Sequence, residues 1–560
     1  MKLFTKVRWP AGLWFVALAL TLLLMIKADL ACLAWAAKLS QEGSPSPARD
    51  TGSATGYALG QRHFLGNYER GETYRWIAAT QELIAAGPAA SATYKADNVP
   101  LGRPQLLPRL YMAWLAAISW FLHFGTGDSI ALSVEHAALW EPVIAHALAF
   151  AVLTVFMWTR YGATSAGLAG LFFALYPPIT GQFIPGTLTA RTWALLFAAG
   201  AIALALPDRG VPAKTPRLGA ASALVAALAL WLDPAVGFPA VLILAVIGIG
   251  VITTNNAKTP FLAWSLTGFV FTLTACLADQ SPWNPAAGEL RYAHPLYAVA
   301  WLGLGLALDG VQRLRATGSH RGRGIAEMAP ALALLSTLAY FQLKNGYAAW
   351  LYASASMRRI TSLDETLRFD TAIDWFTSRS FAEIAFMAAP ALFALAAVAL
   401  AALSPTASPT RTSRFPVLHA AALVALLLLA FFKIRWAVVA SLVALPIAAG
   451  LAASVSAVWA RAVAVAAALF LFGLFPWSNA LPPALRRPAT GATPAASDIE
   501  ALVFRHFSHW MASHNPGRNV AALAPPGLSD SLIFHGGCRA LMSTAWESYP
   551  GQVAASRILS

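Results

Sequence analysis

Between Ala11 and Pro476 the chain lays down about thirteen apolar segments. The gaps between them alternate: one set is short and basic, the other longer, polar and carboxylate-bearing. A helix needs about 20 apolar residues to cross the hydrocarbon core. Segments 137–158, 188–206, 260–278 and 381–402 meet that length, while 218–232 and 462–476 are short and must sit tilted, in a thinned bilayer or paired. The pattern predicts a polytopic α-helical membrane protein with two unequal faces, and function is expected on the face that carries the longer loops.

Composition agrees with the pattern. Hydrophobic residues make up 58% and charged residues 11% of the 560 positions, against roughly a quarter charged in soluble domains. Orientation follows from the lysine and arginine bias. Lys2, Lys6 and Arg8 place the N-terminus in the cytoplasm, and thirteen crossings then put Arg160, the 208–217 loop, Lys258, Arg313 to Arg323, Arg411 with Arg414, and Arg461 inside. The net charge of +14 is thus mostly a topology signal. Dispersed over many short loops, it argues against nucleic acid as a partner. The odd count sends the C-terminus outside, as expected for a multi-pass protein of an inner (cytoplasmic) membrane. The first run, Ala11 to Ile26, continues past Lys27 and Asp29 to Ala37 and reads as a retained anchor, although Ala34-Trp35-Ala36 has the form of a cleavage site. Cys32, Cys276 and Cys538 are too far apart to suggest a disulfide framework.

Three stretches stand out on the outer face. The first, 38–136, opens with a Ser/Pro/Gly-rich linker and turns helical in NYERGETYRWIAATQELIAAG. Its last part, LYMAWLAAISWFLHFG, reads as a helix lying on or dipping into the outer leaflet, since counting it as a crossing would put the 313–323 arginines outside. The second, 344–380, is long for a connector. The third, 477–560, begins Pro-rich, continues into a helix near Asp498 to Ser513, then a strand at NVAALAPP, and strand, turn and strand or helix in SLIFHGGCRALMSTAWE. The expected domains are a membrane domain, 1–476, and a small α/β extracytoplasmic domain, 477–560. Glu141 and His146 lie within an apolar segment, where ionisable groups are costly and need partners, in each other or in the backbone. Asp233-Pro234 marks an outer turn.

Taken together, the layout resembles the catalytic subunit of oligosaccharyltransferase, a membrane glycosyltransferase of the GT-C class. Gly71-Glu72-Thr73-Tyr74-Arg75 stands where that family has D-x-Y-Y-x-x-R, with Asp replaced by Glu, and Pro100 to Pro104 is similar to its YPxGxP. Ile360 to Thr366 is similar to its fifth-loop Ser/Thr-Ile/Val-x-Glu motif and offers Glu365. FFKIRWAVVASLVALPIAAG at 431–450 resembles its arginine-bearing turn, with Arg435 as the match and Lys433 beside it. Cations at the outer end of a span run against the positive-inside trend and suit an anionic partner, arginine bidentately.

The resemblance implies thirteen spans, long first and fifth outer loops, and transfer of a glycan from a polyprenyl-linked carrier to an extracytoplasmic acceptor such as a protein. It assigns Glu72 and Glu365 as catalytic residues and as ligands of a divalent metal, Mg or Mn, and Arg435, Arg191, Lys433 and Tyr74 as substrate-binding residues. Two departures stand against the pattern. Where the family has G-x-x-D-x-D, Gly186 to Arg191 puts Thr189 and Arg191 at the aspartate positions, and a guanidinium cannot ligate a cation. The family's W-W-D-Y-G is missing, with Asp530 and Arg539 loosely similar to it. Arg191 in place of the metal, with Glu72 or Glu365 as general base, is one alternative. A transferase using a lipid-monophosphate sugar and a non-catalytic relative that binds the carrier lipid are two others.

Overall fold

A computed structural model of the chain describes residues 11–42, 49–57, 60–67, 70–87, 93–206, 218–254, 259–279, 290, 292–315, 320–344, 381–403, 415–452, 494–515, 521–545 and 548–559. These residues are mostly helical. In chain order the first helices are α1 (Ala11–Gln41), α2 (Arg70–Ala86), α3 (Arg109–Thr126), α4 (Ile130–Tyr161), α5 (Ala163–Leu175), α6 (Pro177–Thr180), α7 (Ala190–Ala205), α8 (Ala220–Leu232) and α9 (Pro234–Thr254). Then follow α10 (Phe261–Asp279), α11 (Pro295–Arg315), α12 (His320–Lys344), α13 (Phe381–Leu403), α14 (Phe415–Phe432) and α15 (Trp436–Ala452), and in the tail α16 (Ala496–His514), α17 (Pro526–Gly536) and α18 (Tyr549–Leu559).

Four of the described helices, Gly12–Gln41, Ile130–Tyr161, Pro234–Thr253 and Phe261–Asp279, are long and apolar enough to cross a membrane. Shorter apolar helices lie among them, including Ala190–Ala205, where the sequence suggested a full span over 188–206. The described residues therefore do not fix the expected count of thirteen, and the segment 462–476 lies outside them. Phe15, Leu23 and Val152 are more than half exposed along α1 and α4, as lipid-facing positions would be.

Small residues let the helices approach. A Cβ on Gly268 of α10 would sit 2.2 Å from the Trp301 indole of α11, and one on Gly305 of α11 would sit 2.0 Å from Ser265 Oγ of α10. The buried acid of α1 is satisfied across the bundle: Asp29 Oδ2 lies 2.9 Å from His146 Nδ1 of α4, and the His146 ring stacks on Phe183 at 4.4 Å. Glu141 pairs elsewhere, so the mutual pairing considered for Glu141 and His146 is not the one that forms. Interhelical ends sort into two sets. On one, Arg160 at the C-terminus of α4 donates to Ala203 O and Leu206 O, both at 3.2 Å, covering carbonyls that the end of α7 leaves unpaired. The turns α5–α7, α8–α9 and α14–α15 belong to the other.

The tail departs from its expected strands. Among its described residues only Ala521–Ala522 and Arg539–Ala540 pair, in parallel, as β3 and β4, while SLIFHG is helical, as part of α17. Pro526 sits in the first helical turn and Gly537 closes the helix in the left-handed region, signals that outweigh the apolar run between them. A second short pair, β1 (Thr93–Tyr94) with β2 (Arg103–Pro104), is antiparallel.

The tail is knit to the first outer stretch. Arg505 of α16, fully buried, donates to Ser40 O and His63 O, both at 2.9 Å, and to Glu42 O. Its cation thus lies where the carbonyls end α1. Asp97 accepts from Ser543 at 2.6 Å and Ser548 at 2.9 Å, Ala540 N–H donates to Ala96 O at 2.8 Å, and Arg70 pairs with Asp498 at 2.9 Å.

Candidate functional site

The turn leading into α7 is built from close backbone approaches. Gly186 has φ +77°, and a Cβ on Gly66 would lie 2.3 Å from Gly186 O, so the first outer stretch is pressed against this turn and no larger residue fits. The Asn67 side-chain amide donates to Pro185 O at 2.8 Å and to Cys32 O at 3.2 Å. Leu188 N–H donates to Thr73 Oγ1 at 2.9 Å, locking the first turn of α2 to the same place. Thr189 then caps α7, its hydroxyl accepting from Arg191 N–H at 3.3 Å. Glu72 and Arg191 thereby stand at the ends of helices that share one turn.

Arg191 reaches the α8–α9 turn. Asp233 ends α8, its Oδ1 accepting from Ala235 N–H at 2.9 Å, an Asx turn that suits the following proline. Its Oδ2 receives Arg191 Nε at 3.3 Å, and an Arg435 terminal nitrogen lies 3.8 Å from the same oxygen. Arg435 belongs to the tight turn between α14 and α15, closed by Trp436 N–H to Lys433 O at 3.0 Å. Lys433 is buried in that turn. Three interhelical turns thus converge, bringing the predicted Arg191 and Arg435 to one carboxylate, with Lys433 buried in the turn that carries Arg435. Asp233, which the sequence marked only as a turn, is the residue that joins them.

Glu72 lies in the first turn of α2, its carboxylate 3.4 Å from the Trp76 indole nitrogen, which donates. Arg70, its neighbour, is engaged with Asp498 instead. Tyr74 is buried and stacked on Phe534 of α17 at 4.3 Å with His535 edge-on, and burial raises its phenol pKa. It therefore seals the joint between α2 and the tail. Glu141 accepts from the indoles of Trp193 at 2.8 Å and Trp114 at 3.1 Å. Together with Gln182, Thr187, Thr189 and Thr192 it lines a small cavity beneath the α7 turn. In the tail, Asp530 is buried beside Thr544, and desolvation lifts its carboxyl to about 7. Glu365 lies outside the described residues.

The donor set does not fit a divalent cation among the described residues. No group of three His, Cys, Asp or Glu side chains is placed to hold one, and the α7 turn offers hydroxyls and a guanidinium where carboxylates would be needed. What the arrangement can bind is an anion with several oxygens, since guanidinium forks match phosphate oxygens.

No protein-family model matches this sequence, and no curated protein matches it. Solved structures do. The Archaeoglobus fulgidus oligosaccharyltransferase tethered with an acceptor peptide containing the NVT sequon aligns with a TM-score of 0.58 at 14% identity, over 92% of this chain and 64% of that one. The same enzyme in complex with an inhibitory peptide and a dolichol-phosphate gives 0.54 at 14% over the same shares. In its complex with Zn and sulfate it gives 0.54 at 14%, over 91% and 62%. The chain thus spans less than two thirds of the length of these structures. At such identity the likeness is one of architecture, and the chain has an oligosaccharyltransferase-like fold.

Proposed function

We propose that this protein is a membrane glycosyltransferase that moves a sugar or oligosaccharide from a polyprenyl-(pyro)phosphate carrier to an extracytoplasmic acceptor, as a divergent relative of oligosaccharyltransferase. The observation that carries the reading is the convergence of Arg191 and Arg435 on Asp233, with Lys433 in the same turn, on a fold shared with an enzyme solved with a dolichol-phosphate and with an acceptor peptide. The N-terminus is cytoplasmic, and the converging turns, the first and fifth loops and the tail face outward.

In the reaction the acceptor nucleophile attacks the anomeric carbon, the bond from that carbon to the carrier phosphate oxygen breaks, and the polyprenyl (pyro)phosphate departs with the electron pair. Arg191 and Arg435 stabilise the charge that grows on that phosphate, a task of placed cations and not of covalent chemistry. The acceptor proton passes to a carboxylate, Glu72 or Glu365. Lys433 adds positive field beside Arg435, and Tyr74 holds α2 against the tail so that Glu72 keeps its place. Arg191 supplies charge where a cation would otherwise be needed, which also favours a second reading in which the donor is a lipid-monophosphate sugar.

The test is consumption of a polyprenyl-pyrophosphate oligosaccharide by the purified protein in nanodiscs, for the wild type, Glu72→Gln and Glu365→Ala. Turnover that depends on either carboxylate supports the transferase. Bound carrier lipid without turnover of either pyrophosphate or monophosphate donors would replace it with a non-catalytic carrier-binding protein.

A further inference from the structure

Asp29 of α1 finds His146 across the bundle at 2.9 Å, but Lys27, two residues before it, points the other way. Lys27 stands at the middle of Gly12–Gln41, the part of α1 long and apolar enough to cross a membrane. Its side chain is exposed, and no hydrogen bond or ion pair reaches it among the described residues. An ammonium held among lipid chains is costly, and such a group marks a function with a partner of opposite charge. Snorkelling does not relieve it. The nearer interfacial anchors, Trp35 with the Lys38 ammonium 5.4 Å from its ring, begin about 12 Å further along the axis, beyond the reach of a four-carbon stem. Helical side chains also lean toward the N-terminus, here away from those anchors.

Lys27 is set in a seam. Val16, Leu20, Leu23, Lys27, Leu30 and Ala34 are all exposed and follow one another at alternating steps of four and three, the spacing of helices packed knobs-into-holes. The opposite face of α1 is already taken: a Cβ on Gly167 of α5 would lie 2.0 Å from the Trp14 indole, and one on Gly170 would lie 2.5 Å from Leu18. Apolar residues alone would make the seam an ordinary lipid-facing one. A single charged residue at a core position of such a seam fixes partner and register instead, and Lys27 requires a carboxylate. A second copy does not provide it, since two α1 helices side by side in one membrane set Lys27 against Lys27. Headgroup phosphates lie at the wrong depth. We infer that this face of α1 is the docking surface for one membrane-spanning helix of a different protein, which carries an aspartate or glutamate level with Lys27. α1 needs only to cross the membrane for this, and the transfer chemistry does not enter.

The probe is a leucine-based transmembrane peptide with one central glutamate, titrated by energy transfer against the full chain in phosphatidylcholine nanodiscs. Peptides with glutamine, lysine or leucine in its place, and one with the glutamate moved by a heptad, are the comparison arms. The wild type should bind the glutamate peptide about tenfold more tightly than the leucine peptide and gain little from the displaced glutamate. Lys27→Leu, at an exposed position that spares the fold, should lose the preference, and Lys27→Glu should transfer it to the lysine peptide. In native membranes a photo-reactive residue placed at Leu23 should trap a protein whose span carries an acid, and Lys27→Leu should lose that adduct. Equal binding of all peptides, or a preference that Lys27→Leu keeps, would overturn the docking role. Loss of the preference when phosphatidylglycerol is added, with only lipid adducts from Leu23, would assign Lys27 to lipid and overturn it as well.

Discussion

Arg191 and Arg435 point to one oxygen atom of Asp233, although they belong to different interhelical turns and lie far apart in the sequence. That meeting gives a loop guanidinium, which alone would be an interfacial snorkelling residue, a defined place. It also sets the first expectation. Arg435→Gln and Arg191→Gln should each lower turnover of a polyprenyl-linked saccharide by about a hundredfold, the scale of removing one preorganised charge from a developing anion. Lysine at either position should restore little, because it lacks the planar fork. Steady-state rates in nanodiscs at saturating donor read this directly.

Arg505 is expected to hold the tail. It is fully buried and serves carbonyls of Ser40, Glu42 and His63, so Arg505→Met leaves these acceptors without their donor and should cost about 3 kcal/mol in the local stability of α16. Amide exchange across α16 and 60–66 would show the loss, with protection in α4 unchanged.

Acid should loosen the same joint. His63 is pushed down to about 4 by burial, with the neighbouring His509, Arg505 and His506 adding to the effect. His509 and His535 are also lowered by burial, and a ring nitrogen of each donates to Arg62 O at 3.0 Å. Being neutral in the fold, these rings bind protons more readily when the joint is open. Stability is then intact above the ordinary value of 6.5 and falls as pH drops from there toward about 4. Proteolytic release of the tail, followed from pH 8 to pH 4 (a range of about four units around the histidine values), should rise below pH 6.5, and His63→Asn should flatten the rise.

Asp530 works in the opposite sense. Its carboxyl is lifted to about 7 by desolvation, so the fold favours the protonated form. That contribution is complete below the ordinary carboxyl value of 3.8 and is lost as pH rises through about 7. Asp530→Asn keeps an acceptor for Thr544 and should make the stability of α17 less dependent on pH between those values, as thermal unfolding of the tail measured at pH 5 and 7.5 (either side of the shifted value) would show.

Local signals were well written in the sequence. The helical spacing over residues 67–87 and the helix near Asp498 to Ser513 gave α2 and α16 nearly to their ends; Arg435 and Lys433 stood out against the positive-inside trend, and Arg191 by standing where the resembled family has an aspartate. Three things were not legible. SLIFHG reads as a strand because its apolar run is short, and periodicity alone cannot separate a short strand from a buried helix; the deciding Pro526 and Gly537 flank it. Asp233 reads as turn chemistry because its other partners come from turns elsewhere in the chain, and such pairings leave no trace in local spacing. The same holds for the joining of the tail to residues 38–108 through Arg505 and Asp97.

The most direct measurement compares wild type and Arg435→Gln for release of polyprenyl (pyro)phosphate from a lipid-linked saccharide in nanodiscs, in EDTA and then with manganese. The account predicts wild-type turnover that persists in EDTA and collapses in Arg435→Gln under both conditions. Turnover abolished by EDTA, restored by manganese and indifferent to Arg435 would contradict it.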